Sequence, residues 1–149
     1  MSETIIAELS RTFTPRDEYK HIALPFTVEG GYRCLKIHYS YFPKDYEDEV
    51  RSVELVRGCA ERSGTDLDAV YFKNAIPIKN LLTLSIDSPN GAVGCAHRHG
   101  NDLEIVIGAE PSYGFLPTEI TAGEWRAVVS THCALSENID LKITVRGGI

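Results

Sequence analysis

The sequence predicts a mainly β protein: an antiparallel β-sandwich, jelly-roll-like in its run of short strands, with one helix inserted around residues 45–62. Three observations predict it. Apolar and polar residues alternate through most of the chain, which is the period of strands with one buried face. Turn signals rich in glycine separate the alternating runs. One segment switches to the three-and-four spacing of a helix.

Taken in order, Ile5, Ala7, Leu9 and Phe13 share one face of an N-terminal strand. From His21 to Val28, the residues Ile22, Leu24, Phe26 and Val28 face one way. Pro25 inside that run lacks a backbone donor, which implies an edge strand or a bulge. Glu29-Gly30-Gly31-Tyr32 supplies the positive φ of a tight reversal. In the next strand Leu35, Ile37, Tyr39 and Tyr41 lie opposite Cys34, Lys36, His38 and Ser40.

From Asp45 to Arg62 the pattern changes. Tyr46, Val50, Val53, Val56 and Ala60 fall on one helical face. Acidic residues crowd the start and arginines the end, as the helix dipole favours, and Ser63-Gly64 is a suitable stop. Residues 65–79 read as loop, with a short extended piece near Ala69–Phe72.

Strands resume with Leu82, Leu84 and Ile86, followed by the Ser88-Pro89-Asn90-Gly91 turn. The stretch that follows, to Asp102, reads as a polar loop. Leu103, Ile105 and Ile107 form the next stripe, and Thr121-Ala122-Gly123-Glu124 leads into a strand from Trp125 to Cys133. Ile139, Leu141, Ile143 and Val145 alternate with Asp140, Lys142, Thr144 and Arg146.

With 149 residues the chain is expected to form one domain, 1–149, large enough to need no disulfide or metal for stability. Its net charge of −6 opposes nucleic-acid binding. Met1–Phe13 has neither the basic start of a signal peptide nor a membrane-length apolar run. A cytoplasmic protein without membrane attachment is therefore expected. Cys34, Cys59, Cys95 and Cys133 are widely spaced and are expected to be free thiols, Cys95 the most reactive.

Common catalytic signatures are missing. There is no Gly-x-x-x-x-Gly-Lys, no His-Glu-x-x-His and no Gly-x-Gly-x-x-Gly. Ser112 has Glu110 where a nucleophile elbow needs a small residue, and it reads as a loop hydroxyl. The densest local chemistry is Cys95-Ala96-His97-Arg98-His99-Gly100-Asn101-Asp102. In an extended chain His97 and His99 point to the same side and can share a divalent transition metal, to which Asp102 could add an oxygen and His132, from the Trp125 strand, a third imidazole. The alternative is an ordinary polar loop. Tyr113 and Trp125, with Phe115, are candidate rings for stacking on a sugar, against the commoner role of tryptophan in a core.

Two groups of residues carry a family resemblance. Leu81–Gly91 is a strand closed by an Asp-x-Pro-x-Gly-type turn. Ile105-Val106-Ile107-Gly108, Gly114-Phe115-Leu116-Pro117 and Ala122-Gly123-Glu124-Trp125-Arg126-Ala127-Val128 follow it. This order, with the Leu-Pro-Phe-x-Val core of His21–Val28, resembles the small N-terminal β-sandwich of PHP-superfamily metallohydrolases of the carbaryl-esterase type. The chain departs from that pattern at Phe115, Thr118 and Ala122. The resemblance implies an accessory sandwich that partners a catalytic barrel. The family's metal ligands lie in the barrel, so none carries over to this chain.

The leading expectation is thus a non-catalytic accessory or binding module that contacts another domain, a protein chain or a small molecule. A carbohydrate-binding module is the first alternative. A small metal-binding protein or metalloenzyme using His97 and His99 is the second.

Overall fold

Alternating sequences become two stacked sheets because each strand has one apolar face to bury. The structure, a computed structural model, describes residues 2–65, 74–97 and 99–149. The strands are β1 (Glu3–Phe13), β2 (His21–Val28), β3 (Cys34–Phe42), β4 (Leu81–Ser88), β5 (Gly91–Ala96), β6 (Asp102–Gly108), β7 (Gly123–Cys133) and β8 (Ile139–Gly148). One helix, α1 (Glu49–Ser63), lies between β3 and β4. The protein is an antiparallel β-sandwich of two four-stranded sheets, ordered β1-β8-β3-β6 and β2-β7-β4-β5.

The pairing is nested. β4 pairs with β5, β3 with β6, β2 with β7 and β1 with β8, all antiparallel. The chain is therefore one long hairpin, rolled so that successive pairs fall in alternate sheets. The β3–β8 and β4–β7 ladders complete the two sheets. Between them lies a continuous core: Leu35, Ile37 and Tyr39 of β3 and Ile139, Ile143 and Val145 of β8 from one sheet, Leu82, Leu84 and Ile86 of β4 and Trp125 of β7 from the other.

β2 is an edge strand, as Pro25 requires. The opposite edges, β5 and β6, are covered by the β6–β7 connection. Leu116 N donates to Val93 O and Cys95 N to Gly114 O on one side; Ser112 N donates to Val106 O and Thr118 N to Gly108 O on the other. Ser112 Oγ also accepts from Val106 N, so this hydroxyl serves the loop. The free edge of β1 is blunted by a register shift between Ile5 and Ala7 and by Arg11, whose guanidinium lies over the Phe13 ring. Both devices discourage edge-to-edge association.

Four expectations need correction. β5 occupies the first half of the stretch read as a polar loop. The β1 bulge turns Ile5 out to solvent, and Ile6 packs on the core instead. The helix starts at Glu49 and not at Asp45, because Asp48 is its cap and accepts from Arg51 N at 2.9 Å. Its buried residues are Ser52, Val56 and Ala60, while Val50 is exposed. The helix stops at Gly64, in the left-handed region (φ 70°), as expected. The extended piece expected near Ala69–Phe72 lies outside the described residues.

The two arms of the β3–β4 insertion close on each other. Asn80 N donates to Lys44 O and Tyr46 N to Ile78 O, while Lys79 pairs with Asp45. No described helix is long and apolar enough to cross a membrane.

Candidate functional sites

The predicted histidine cluster separates into two parts. β5 ends at Ala96, so His97 and His99 follow in the loop before β6. His99 turns toward the core: its ring meets the Tyr39 ring edge-on, with centroids 5.4 Å apart. Its Nδ1 lies against Gly100 O, and its Nε2 is buried with no hydrogen-bond partner. His97 is exposed, and its ring lies 6.2 Å from that of His132. The structure thus brings His97 and His132 together and places His99 against Tyr39. Among the described residues, no three His, Cys, Asp or Glu side chains are grouped to hold a metal ion.

The β2-β7-β4-β5 sheet orients His132 from its outer face. The β4–β7 register slips between Leu81 and Leu82, which pair with Cys133 and Thr131, and His132 is the extra residue. Such a bulge re-aims a side chain. His132 Nε2 lies 2.9 Å from Thr83 Oγ1, and Thr83 is only 2% exposed. Beside it, His21 Nδ1 lies 2.7 Å from Ser130 Oγ, and Ser130 pairs directly with Thr83. This Ser–His contact sits on a sheet face with its serine almost wholly buried.

The other sheet carries a charged outer face. Lys36 pairs with Glu3, and His38 Nε2 lies 2.8 Å from Asp102 Oδ1. Glu104 and Arg146 complete this shallow cluster. The hydrogen bond between Glu3 and Lys36 lowers the carboxyl's pKa and raises the ammonium's. Both groups are solvated, and such pairs contribute little to stability.

The candidate sugar-stacking rings part company. Tyr113 is fully exposed at a loop tip, whereas Trp125 has no exposed surface. A ring without free surface cannot stack on a sugar, so Trp125 is a core residue. It stacks on Phe26 with centroids 6.5 Å apart, and its Nε1 donates to Thr121 O at 2.9 Å.

That hydrogen bond braces a cleft which the sequence reading missed. At the end of the sandwich bearing the β2–β3 and β6–β7 connections, Tyr32, Arg33, Pro117, Glu119, Ile120 and Thr121 line a concavity of about 630 Å³. Tyr32 fits over Gly147, where a side chain would collide with its ring. Arg33 N donates to Gly148 O, tying the hairpin to β8. Thr121 Oγ1 is buried and has no hydrogen-bond partner. The cleft combines apolar surface with an arginine and a glutamate among its lining residues, a mixture suited to orienting a small molecule. The only sequence hint was the glycine and proline content of its loops. Their meeting depends on partners about 85 residues apart.

No protein-family profile, curated protein or solved structure matches this chain.

Proposed function

We propose that this protein is a non-catalytic binding module of jelly-roll topology that takes a small ligand in the Tyr32–Thr121 cleft. The nested strand pairing supports the topology. The cleft carries the binding reading. It is of metabolite size, it is formed by loops on a rigid scaffold, and the core holds it open through Trp125 Nε1. The resemblance to PHP-associated sandwich domains favours an accessory role beside a catalytic barrel.

Trp125 is the chain's single tryptophan, so its indole N–H reports on the cleft. Protein-detected NMR against a panel of sugars, amino acids and organic acids tests the proposal. Shifts at 117–121 and at the indole N–H, abolished by Arg33→Ala, are expected for at least one class. Shifts confined to other surfaces, or none at millimolar concentration, would refute it.

A further inference from the structure

We propose that His97 and His132 form a two-imidazole site for a divalent transition-metal ion, with Thr83 as the positioning residue. The site is separate from the cleft and stands whether or not the cleft binds a ligand. Its first support is distance. A metal–nitrogen bond of roughly 2.1 Å puts each ring centroid about 3.2 Å from the ion, so two rings sharing one ion sit roughly 5–6.4 Å apart, from tetrahedral to trans arrangements. The observed 6.2 Å lies near the trans end of that span, the arrangement that a tetragonal Cu(II) or Ni(II) site accepts.

The second support is orientation. His132 is the extra residue of the β7 bulge, and its Nε2 lies on the hydroxyl of nearly buried Thr83. With the proton on Nε2 donated to Thr83 Oγ1, Nδ1 is the ligating nitrogen. Metal-binding histidines are usually fixed in this way through their other ring nitrogen. The third support is availability. His97 and His132 are both exposed, and His97 makes no hydrogen bond among the described residues. Two protein ligands leave the remaining coordination positions to water or an external donor. His99, packed on Tyr39, has no part in the site.

The test is calorimetric titration of tag-free protein with Cu(II), Ni(II) and Zn(II) separately, with electron paramagnetic resonance of the Cu(II) form. One equivalent is expected to bind, Cu(II) most tightly, with the spectrum of two imidazole nitrogens. His97→Ala and His132→Ala should each weaken binding at least about tenfold. Thr83→Val should weaken it by about tenfold and Thr83→Ser should restore it, which separates positioning from a general effect on the fold. His99→Ala and His38→Ala should bind like the parent. No binding, or binding unchanged in His97→Ala, or a loss in His99→Ala equal to that in His97→Ala, would overturn the proposal. Circular dichroism of each variant checks the fold, and the two exposed histidines are removable without disturbing the core.

Discussion

The phenol of Tyr39 on β3 donates a 2.6 Å hydrogen bond to the carbonyl of Leu82 on β4, joining the two sheets through the core. The β4–β5 ladder ends at Leu84 opposite Ala96, so Leu82 lies beyond β5. The tyrosine satisfies a carbonyl that would otherwise be buried without that partner. Tyr39→Phe keeps the ring and removes the donor. A loss of about 1–3 kcal/mol in urea denaturation is expected, because the acceptor stays buried. A change below ~0.3 kcal/mol would show that the bond contributes nothing net.

The same residue makes the fold sensitive to alkali. Burial, helped by neighbouring Tyr41, pushes the Tyr39 phenol well above its ordinary pKa, which is about 10. Above that value the unfolded chain releases a proton that the folded chain retains. The contribution is therefore fully present below about pH 10 and is lost as pH rises toward the folded pKa. Stability measured from pH 8 to 11 should fall at the alkaline end, and less steeply in Tyr39→Phe. Parallel curves for the two proteins would contradict this assignment.

Asn80 holds the base of the helical insertion against the β7–β8 turn. Its wholly buried carboxamide donates to Pro43 O at 3.1 Å and Ser136 Oγ at 2.7 Å, and accepts from Leu135 N at 2.9 Å and Ser136 N at 3.3 Å. Asn80→Leu keeps the approximate volume and leaves several buried groups without partners. It should lower stability by about 2–4 kcal/mol. A change within ~0.5 kcal/mol of the parent would mean that water or rearranged loops replace the network.

Most strands were legible because their alternation is local, and their faces follow from it. Leu84 and Ile105, expected inside, are buried. β5 was not legible: Gly91-Ala92-Val93-Gly94-Cys95-Ala96 has one large apolar residue, and the strand exists because β4 and the Gly114–Leu116 segment pair with it. The helix start read from the local pattern, Asp45, is four residues early, because Asp45 pairs with Lys79, 34 residues away, and Asp48 caps the helix. At the sites the same limit applies. The individual histidines were visible, but the bulge that brings His132 toward His97 is a property of the β4–β7 register. The cleft likewise requires Tyr32 to meet residues 117–121.

Gly147 and Tyr32 offer a test of how the cleft is built. A Cβ at position 147 would overlap Cδ1, Cε1 and Cγ of the Tyr32 ring. Gly147→Ala should therefore displace the ring and lower stability by about 1–3 kcal/mol, the usual range for overpacking. In a Tyr32→Ala background the same change should have almost no effect, since the colliding ring is gone. A double-mutant cycle by chemical denaturation measures the coupling. Additive effects would place the penalty in the β8 backbone and not in the contact with Tyr32.

The four cysteines are all free, and their surroundings rank their reactivity. Cys59 lies exposed on the helix, whereas Cys34, Cys95 and Cys133 are half-buried. Exposure therefore puts Cys59 ahead of Cys95, although the sequence pointed to Cys95 through its histidine and arginine neighbours. Burial pushes the Cys133 thiol up, with Glu18 adding to the effect. Less thiolate at neutral pH means slower attack on an electrophile. Timed alkylation of native protein with iodoacetamide at pH 7.5, read by peptide mass spectrometry, should modify Cys59 first and Cys133 last. Four thiols should titrate after denaturation. Modification of Cys133 as fast as Cys59 would mean that the end of β7 opens readily in solution, and would contradict the burial assigned to it.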